Sequence, residues 1–507
     1  MKMKYFYFHL IILNIIFVQL NAQKLIKSNQ EKFRPQIHFT PEKNWVNDPN
    51  GMIFYNGTYH LFFQHSPNAS VWKDISWGHA TSKDLVNWTR KPIAIYPDSL
   101  GLIFSGSVVF DKFNTSGLGK NGVAPLVAIY TQHDMLKEKS GRNDFQNQSI
   151  AFSLDGGEHW NKYVNNPVLK SPGIRDFRDP KVFWNKSTNK WIMSLAVVDH
   201  ISFYSSKDLI NWTKESDFGT GLGNHGGVWE CPDLFPLKFE GKQLWALLVN
   251  TNPGGPNKGS ATQYFIGNFD GKKFVPYSTD EKWIDYGPDE YAGVTWENTA
   301  NKKYFIGWMS NWMYANIVPT EKWRNSFTLT RELSIGKFKN DFIIKSNPIS
   351  AIKSLEVDSE ELTSLISSSD LNITNKIKNF TVPSKIEIEF EKNNDVIVCF
   401  ENQNKEQLKV GFDDLKNQFF IDRTKSGITD FHKDFATVSI APRLCDNSKV
   451  KMTLYLDKSS IELYADDGST VMTSIIFPNS DYNTVNLSSK KNSKINKLKY
   501  FQLKSIW

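Results

Sequence analysis

The chain has 507 residues, of which 40% are hydrophobic and 22% charged, and it carries a formal net charge of +7. This balance is typical of a folded protein of two or three domains and excludes a disordered chain. The lysines are scattered, without a basic patch or a nucleic-acid-binding motif, so a weakly basic surface is favoured over nucleic-acid binding. Three cysteines exclude a disulfide framework, and at most one bridge could form, with Cys399 and Cys445 as its candidates.

The first 22 residues have the features of a secretory signal peptide. Lys2 and Lys4 precede the apolar run YFYFHLIILNIIFVQL, and Ala22 supplies a small residue before a cleavage point at Gln23. An uncleaved membrane anchor is the alternative interpretation. Because no later stretch approaches about 18 consecutive apolar residues, we predict no further membrane span. We therefore expect a secreted protein, extracellular or periplasmic.

The pattern of residues 23–345 predicts an all-β domain built from repeated units. Short runs rich in β-branched and aromatic residues, such as GTYHLFFQ, APLVAIYTQ, KWIMSLAVV and KYFIGWMS, are separated by Gly, Asn, Asp and Pro. Three similar segments, TSKDLVNW, FSLDGGEHW and SSKDLINW, place Ser and Asp ahead of Trp, so the Asp side chain can cap a tight turn. Four-stranded units of roughly 60 residues predict a five-bladed β-propeller. A two-sheet sandwich is the alternative, and it explains the repeats less well.

The rest of the chain predicts a linker and a second β domain. Residues 346–380 include the polar stretch SLEVDSEELTSLISSSDLN and are typical of a linker with at most a brief helix. Beyond them, KIEIEFEK and KMTLYLD alternate apolar with polar residues, and SIELYADDGSTVMTSIIF contains a turn at Asp466-Asp467-Gly468. We predict a C-terminal antiparallel β-sandwich over residues 381–507, packed on the first domain.

Three carboxylates of the first domain lie close to the start of hydrophobic strands. Asp48 lies in WVNDPNG, Asp179 in FRDPKVFW and Glu230 in VWECPDLF. They are separated by about two blades and about one blade, and the first strand of every propeller blade lines a central funnel. Taken singly, each aspartate is more typical of a turn than of a catalyst. Taken together, the three are expected to meet in the funnel.

Such a set of carboxylates suits the cleavage of a glycosidic bond. One stays ionised and attacks or stabilises the sugar cation, while a second, protonated one releases the leaving oxygen. Trp229, Cys231 and Pro232 surround Glu230 in sequence and predict an apolar wall, which favours the protonated form that a general acid requires. Amides and backbone N–H groups around Asp48 favour its ionised form.

The motifs together resemble those of a known family. In this order, HFTPEKNWVNDPNG, FSGSVV, FRDPKVFW, VWECPDLF and GWMSNW are similar to glycoside hydrolase family 32, the invertases, inulinases and levanases. The resemblance covers both domains, and IYPDSLGLIFSGSVV and NHGGVWECPDLF are most similar to secreted bacterial levanases and exo-fructanases. It implies a five-bladed propeller with a C-terminal β-sandwich, as the strand pattern also predicts, and no metal or organic cofactor.

The resemblance also implies roles for individual residues. Asp48 would be the nucleophile that attacks C2 of a terminal β-fructofuranosyl unit, Glu230 the acid/base, and Asp179 the group that holds sugar hydroxyls and stabilises the transition state. A retaining mechanism of this kind expects the Asp48 and Glu230 carboxyl groups to lie about 5–5.5 Å apart. The fructose would be held by polar contacts from Asn47, Gln64, Ser105 and Arg178 and by an apolar rim of Trp72, Phe104 and Trp312.

One segment departs from the family pattern. Family members usually carry an aromatic residue in a DYG…FYA segment, whereas this chain reads DYGPDEYA, with Glu290 in place of Phe and Pro288 where a basic residue is common. The segment lines the leaving-group side in the family. This makes Asp285 a further candidate substrate contact and leaves the preference among sucrose, inulin and levan open.

The sequence therefore predicts an exo-acting β-fructosidase that frees fructose from fructans and sucrose. Transfer of the fructosyl unit to another sugar at the same site is the second hypothesis. A non-catalytic fructan-binding protein fits less well, because a pure binder has no need of all three carboxylates. A propeller hydrolase of arabinans or xylans is disfavoured by NDPNG followed by FSGS.

Overall fold

The structure is a computed structural model that describes residues 29–367, 371–377, 379–393, 395–489 and 493–507. The predicted signal peptide, residues 1–22, lies outside the described residues. The predicted all-β class is confirmed, because the described residues form 34 strands and a single short α-helix, α1 (Met135–Lys139). None of the helices in this part of the chain has the length and apolar character that a membrane crossing requires.

The first domain is a propeller of five blades, as predicted. Blade 1 comprises β1 (Asn44–Tyr55), β2 (Thr58–Ser66), β3 (Ser76–Ser82) and β4 (Trp88–Ile95), and blade 2 comprises β5 (Leu102–Phe110), β6 (Leu126–His133), β7 (Gln146–Ser153) and β8 (Asn161–Lys162). Blade 3 comprises β9 (Phe177–Asn185), β10 (Lys190–Val197), β11 (His200–Ser206) and β12 (Trp212–Phe218), and blade 4 comprises β13 (Val228–Phe239), β14 (Lys242–Asn252), β15 (Ala261–Phe269) and β16 (Phe274–Pro276). Blade 5 comprises β17 (Tyr291–Thr295), β18 (Lys303–Met309), β20 (Ser326–Phe327), β21 (Arg331–Phe338) and β22 (Asp341–Pro348), whereas the short β19 (Trp323–Arg324) belongs to the sheet of blade 1.

The blades close into a ring around the first strand of each. Strands β1, β5, β9, β13 and β17 contact one another in turn, and β17 returns to β1. The ring is fastened by β19, which pairs in parallel with β1 through Asn44–Trp323 and Trp45–Arg324. Apolar side chains fill the space between blades 1 and 2, among them Phe62, Trp77 and Val108. The funnel expected at the centre of a propeller is thus present.

The repeated Ser-Asp-Trp segments form equivalent turns between the third and fourth strands of blades 1, 2 and 3. In blade 1 the Oδ1 atom of Asp84 accepts hydrogen bonds from the backbone N–H groups of Val86 at 2.9 Å and Asn87 at 2.8 Å. Asp208 makes the same bonds in blade 3, and Asp155 caps the corresponding turn in blade 2. The predicted side-chain caps are therefore confirmed.

The second domain is a sandwich of two six-stranded sheets. In chain order its strands are β23 (Glu356–Ser367), β24 (Leu371–Asn372), β25 (Ser384–Glu391), β26 (Val396–Glu401), β27 (Gln407–Asp413), β28 (Gln418–Lys425), β29 (Val438–Pro442), β30 (Lys449–Asp457), β31 (Ser460–Ala465), β32 (Thr470–Ile475), β33 (Thr484–Ser488) and β34 (Ser493–Leu503). One sheet has the order β23-β34-β25-β30-β31-β32, and the other has the order β24-β33-β26-β27-β28-β29. Their inner faces share one apolar core, to which Ile388, Phe412 and Leu454 belong.

Two predictions about the C-terminal half are wrong. Much of the predicted linker, residues 346–380, is folded: a 3₁₀ helix (Ser350–Leu355) leads directly into β23, which pairs along β34 as the edge of a sandwich sheet. An edge strand tolerates the charged residues that made this stretch look like a linker, because one of its sides meets solvent. The candidate bridge between Cys399 and Cys445 does not form, because neither residue is in a disulfide.

Candidate active site

The funnel strands share a local irregularity that aims side chains inward. Each inner strand has a break in the register with its neighbour, and the affected stretches are Val46–Pro49 in β1, Ile103–Gly106 in β5, Arg178–Lys181 in β9, Glu230–Asp233 in β13 and Tyr291–Val294 in β17. Such bulges re-aim a side chain. Asp179, Cys231 and Ala292 have positive φ angles of 64°, 41° and 53°. Left-handed backbone at non-glycine residues is costly and clusters at functional sites.

Asp48 lies in the bulge of β1 and is held by two side chains. Its Oδ1 atom accepts a hydrogen bond from Asn47 Nδ2 at 2.8 Å, and its Oδ2 atom accepts one from Ser105 Oγ at 2.5 Å. Gln64 in turn contacts both Asn47 and Ser105. Burial raises the pKa of Asp48, the bond from Ser105 opposes this, and the nearby charge of Glu230 adds to it. The amides expected to favour the ionised form are present, but burial outweighs them.

Asp179 lies across the funnel from Asp48, and Cys231 stands between the two. The Sγ atom of Cys231 lies 3.5 Å from Asp48 Oδ2 and 3.6 Å from Asp179 Oδ2, and its backbone N–H donates to Asp179 Oδ2 at 3.1 Å. Burial raises the pKa of Asp179, Arg178 opposes this, and Glu230 and Asp48 raise it further. The structure thus brings the two predicted aspartates together around one neutral thiol, whose own pKa burial raises well above its usual value.

Glu230 has polar neighbours in place of the apolar wall that the sequence predicts. Its Oε1 atom accepts hydrogen bonds from Arg178 Nε at 3.2 Å and Nη2 at 3.1 Å, and its Oε2 atom accepts one from the Tyr291 hydroxyl. The Trp229 indole donates instead to the Asn224 carbonyl oxygen at 2.8 Å and packs in a separate apolar cluster. Trp229 and Glu230 lie in regular register ahead of the bulge, where successive side chains point to opposite faces, so Trp229 does not line the same side as Glu230.

Arg178 is the cation that the acidic groups of the funnel share. Its Nη1 atom lies 2.5 Å from Asp176 Oδ1, its Nη2 atom 3.1 Å from Glu230 Oε1, and its Nε atom 3.9 Å from Asp179 Oδ2. Only 8% of Arg178 is exposed. One guanidinium therefore serves three carboxylates, while Asp48 has neutral hydrogen-bond donors. The site is rich in negative charge and in groups that can exchange protons.

The three aromatic residues predicted as a rim are all half-buried, and they occupy two sides of the site. Trp72 meets Phe104 edge to face at 5.9 Å between ring centroids, and Phe104 precedes Ser105 in β5. Trp312 packs on Trp45 at 5.8 Å, and the Trp45 indole donates to Asn47 Oδ1 at 2.7 Å. Both sides of the predicted rim are therefore connected to the residues that hold Asp48.

The assignment of Asp285 as a substrate contact is wrong. This residue is fully buried between the two domains, where its Oδ1 atom accepts hydrogen bonds from the backbone N–H groups of Gly287 at 2.7 Å and Thr473 at 2.8 Å. Its Oδ2 atom lies 2.9 Å from Arg331 Nη2. The unusual Glu290 is also fully buried, and burial raises its pKa to about 8. Residues 285–292, the segment that differs from the family pattern, therefore lie below the site and pack against the sandwich.

Two residues that contact Glu230 and Asp179, one through a side chain and one through the backbone, escaped the sequence reasoning. Tyr291 donates to Glu230, and Thr131 Oγ1 accepts a hydrogen bond from the Asp179 backbone N–H at 2.9 Å. Tyr291 opens β17, the inner strand of the fifth blade, at a place equivalent to Glu230 in β13. The blade repeat was the signal that could have found it. Thr131 lies inside the continuous apolar strand LVAIYTQH, where no pattern distinguishes it.

Comparison with known proteins gives this geometry a family. The family model of the glycosyl hydrolases family 32 N-terminal domain matches residues 38–347, and that of the family 32 C-terminal domain matches residues 351–502. The chain belongs to glycosyl hydrolase family 32. The predicted family is confirmed, and the protein is a glycoside hydrolase.

Individual relatives within the family are similar over nearly the whole chain. The levanase of Bacillus subtilis (strain 168) is 42% identical over 490 residues, which cover 94% of this chain and 71% of the levanase. The invertase of Schwanniomyces occidentalis is 37% identical over 499 residues, 91% of this chain and 90% of the invertase. The crystal structure of an exo-inulinase from Aspergillus awamori superposes with a TM-score of 0.87 at 34% identity, over 94% of this chain and 100% of that one. The propeller followed by a sandwich is thus the fold of this family.

Proposed function

We propose that this glycoside hydrolase is an exo-acting, retaining β-fructofuranosidase that removes terminal β-D-fructosyl units from levan, inulin and sucrose. The observation that carries the proposal is the grouping of Asp48, Asp179 and Glu230 around Cys231 and Arg178 in the funnel. Relatives named levanase, exo-inulinase and invertase support the substrate class. A Schwanniomyces occidentalis fructofuranosidase solved with fructose, at 32% identity and a TM-score of 0.84, supports the sugar.

In the first step, an Asp48 carboxylate oxygen forms a bond to C2 of the fructosyl unit as the bond from C2 to the leaving oxygen breaks. Glu230 delivers its proton to that oxygen, so the leaving group departs as a neutral alcohol. The carboxylate left on Glu230 accepts the hydrogen bonds that Arg178 and Tyr291 are placed to donate. Asp179 faces the same space, where its negative charge stabilises the oxocarbenium-like transition state.

In the second step, Glu230 takes a proton from water, and the water oxygen attacks C2 as the ester to Asp48 breaks. Two displacements return the β configuration to the released fructose. Ser105 and Asn47 again hold the two oxygens of the Asp48 carboxylate as its charge reforms. Their hydrogen bonds make Asp48 a better leaving group than an isolated buried carboxylate, because donors stabilise the ionised form.

The rim and the single funnel favour attack at a chain end. Trp72, Phe104 and Trp312 present half-buried apolar rings beside polar Asn47 and Ser105, which is the mixture of surfaces that a sugar ring offers to its protein. Secretion belongs to the proposal as well. It is supported by the N-terminal signal pattern and by relatives named extracellular exo-inulinases.

The test is release of fructose by the purified protein from levan, inulin and sucrose, with Asp48→Ala and Glu230→Ala beside it. Glu158→Ala, which removes a half-exposed carboxylate far from the funnel, is the matched control. We expect free fructose, first formed as the β anomer by NMR, and loss of activity only in the two funnel variants.

Four other results would redirect the proposal. Long oligosaccharides without free fructose would refute exo action, and an α anomer formed first would refute retention. Chain growth at high sucrose concentration would identify a fructosyltransferase. Levan that is bound but not cleaved would identify a binding protein.

A further inference from the structure

A loop of the fifth blade carries the predicted rim residue Trp312 and is held from three sides. Residues 310–322 join β18 to β19. Asn311 Nδ2 donates to the Pro288 carbonyl oxygen at 2.7 Å, and Asn316 Oδ1 accepts a hydrogen bond from the Trp72 backbone N–H at 3.0 Å. The third attachment, at Tyr314, reaches the other domain.

Tyr314 belongs to a buried triad that spans the two domains. Its hydroxyl donates to Asp289 Oδ1 at 2.5 Å, and it accepts a hydrogen bond from Arg423 Nη2 at 2.9 Å. Arg423 lies on β28 of the sandwich, and its Nη1 atom contacts Asp289 Oδ2 at 2.5 Å. All three residues are at least 99% buried. A planar guanidinium can hold both partners at once in a dry interface, where charge-assisted hydrogen bonds are strong and geometrically specific.

The sandwich also encloses the Tyr314 ring. Phe435 and Phe431 meet it edge to face, with ring centroids 5.3 Å and 6.2 Å away. The Arg423 guanidinium stacks over Phe435 at 4.0 Å and donates through Nε to the Phe435 carbonyl oxygen at 2.7 Å. The second domain therefore fixes Tyr314 in two ways: Arg423 bonds to its hydroxyl, and Phe431 and Phe435 pack against its ring.

From Tyr314 the contacts lead to both sides of the rim. Trp312, two residues earlier, packs on Trp45, whose indole is bonded to Asn47, the donor to Asp48. In the other direction, Asn316 fixes the backbone of Trp72. A displacement of this one loop would thus move the aromatic surfaces on both sides of the site.

We propose that Arg423 is a positioning residue for the substrate rim: acting through Tyr314 and Asp289, the sandwich domain holds loop 310–322 so that Trp312 and Trp72 stand ready to receive the sugar. The inference rests on the proposed function and deepens it, because it assigns the second domain a part in substrate binding. Arg423 itself touches no substrate. Its loss should therefore weaken binding while the carboxylates keep their chemistry.

The experiment compares Tyr314→Phe and Arg423→Lys with wild type in the full-length protein. Tyr314→Phe removes the hydroxyl but keeps the ring and its packing. Arg423→Lys keeps the positive charge but removes the planar guanidinium that binds two partners at once. We expect KM for levan and sucrose to rise about threefold to tenfold, as the loss of one or two buried hydrogen bonds predicts, with kcat within about twofold.

Arg443→Lys is the matched control. Arg443 is an equally buried arginine of the sandwich, and within the described part of the chain its side chain bonds only to Asp466, Asn447 and Lys449 of the same domain. We expect it to lower Tm without changing KM. If Tyr314→Phe and Arg423→Lys behave like this control, or if they lower kcat with KM unchanged, the positioning role is refuted. If Arg423→Lys does not fold, Tyr314→Phe decides alone.

A failure of the proposed function remains distinguishable. Wild-type protein that frees no fructose from any substrate would refute the hydrolase proposal. Calorimetric titration of wild type and Tyr314→Phe with levan oligosaccharides then tests the rim without turnover. Weaker binding by the variant would support the positioning role, and equal binding would overturn it.

Discussion

Two regions of this molecule bury several charges each, and they use them differently. In the funnel, Asp179 and Glu230 share the guanidinium of Arg178 with Asp176, and Asp48 is held by the neutral donors Asn47 and Ser105. The second region, the interdomain cluster, comprises His38, Asp285, Arg331, Asp457 and Glu462. There Arg331 lies 2.9 Å from Asp285 and 2.8 Å from Glu462, and the two ring nitrogens of His38 lie 2.7 Å from Asp457 and Glu462.

The two regions differ in how the burial of their carboxylates is compensated. In the funnel, burial raises the pKa of Asp48 and Asp179, and the charge of Glu230 raises both further, while Arg178 opposes the rise at Asp179 alone. In the interdomain cluster, burial acts in the same direction on Glu462, but Arg331 and His38 lower its pKa to about 2. The side chains of the cluster are completely enclosed, whereas 20% of the Glu230 side chain remains open to the funnel. Charge balance and exposure to solvent, more than burial, distinguish the funnel carboxylates from those of the interdomain cluster.

The largest expected effect comes from removing a carboxylate from the funnel. Asp48→Ala should lower kcat by about 10⁴-fold or more, as removal of a nucleophile does, and leave Tm unchanged or higher because a buried carboxylate is gone. Added azide should restore turnover of an activated fructoside and give the α-fructosyl azide, since it attacks from the vacated side. Kinetics with NMR of the product checks both, and a β-azide would contradict the assigned role of Asp48.

The mirror experiment removes a carboxylate from the interdomain cluster. Asp285→Ala leaves Arg331 buried with one partner fewer, so the free energy of unfolding should fall by about 3–5 kcal/mol. The kcat of the protein that remains folded should stay within about twofold of wild type, because Asp285 does not face the funnel. Denaturant unfolding and activity assays well below the transition measure the two quantities. A selective loss of kcat would restore Asp285 to the active site.

A smaller effect is expected at Tyr291, which donates a hydrogen bond to Glu230 in the funnel. Tyr291→Phe removes a hydrogen bond to the Glu230 carboxyl group, so kcat should fall about tenfold to a hundredfold with KM nearly unchanged. Steady-state kinetics separates this from a packing defect. A variant that loses thermal stability but keeps its kcat would show that Tyr291 only fills space.

The smallest effect concerns pH and the interdomain cluster. Burial alone lowers the pKa of His38, but its bonds to Asp457 and Glu462 raise it from 6.5 to about 9. The folded protein therefore holds a proton that the unfolded chain releases, and this contribution to stability is complete below pH 6.5 and disappears as the pH rises through 9. Over that window the free energy of unfolding of wild type should fall more steeply than that of His38→Gln, by at most about 1.4 kcal/mol per pH unit. The free energy of unfolding of both proteins is measured by thermal melts at each pH. Equal slopes of that free energy against pH would contradict the assigned protonation of His38.

The sequence predicted the five-bladed fold and the proposed catalytic residues Asp48, Asp179 and Glu230, because both follow the blade repeat. Strand length, turn caps and the recurring Asp-Pro motifs are local signals, and the blade period places distant residues in one funnel. Asp285 and Asp48 look alike locally. Only the contacts of Asp285 with Arg331 of the propeller and Thr473 of the sandwich show that Asp285 is structural. Arg423 was equally invisible, since its role depends on how a second domain packs against Tyr314. The roles of Asp285 and Arg423 could not be predicted because they depend on contacts between residues far apart in the sequence.

The parallel pairing of β19 with β1 has a consequence for when the enzyme can work. Asn44 and Trp45, just before Asn47 and Asp48, are paired with Trp323 and Arg324 from the far end of the propeller. A growing chain that stops short of residue 323 contains all three carboxylates yet lacks the strand that fastens the first blade into the ring. Long-range closure of this kind is slow, because the whole intervening chain must be ordered first. The funnel that holds the three carboxylates therefore closes only after the whole propeller has been made and β19 has paired with β1.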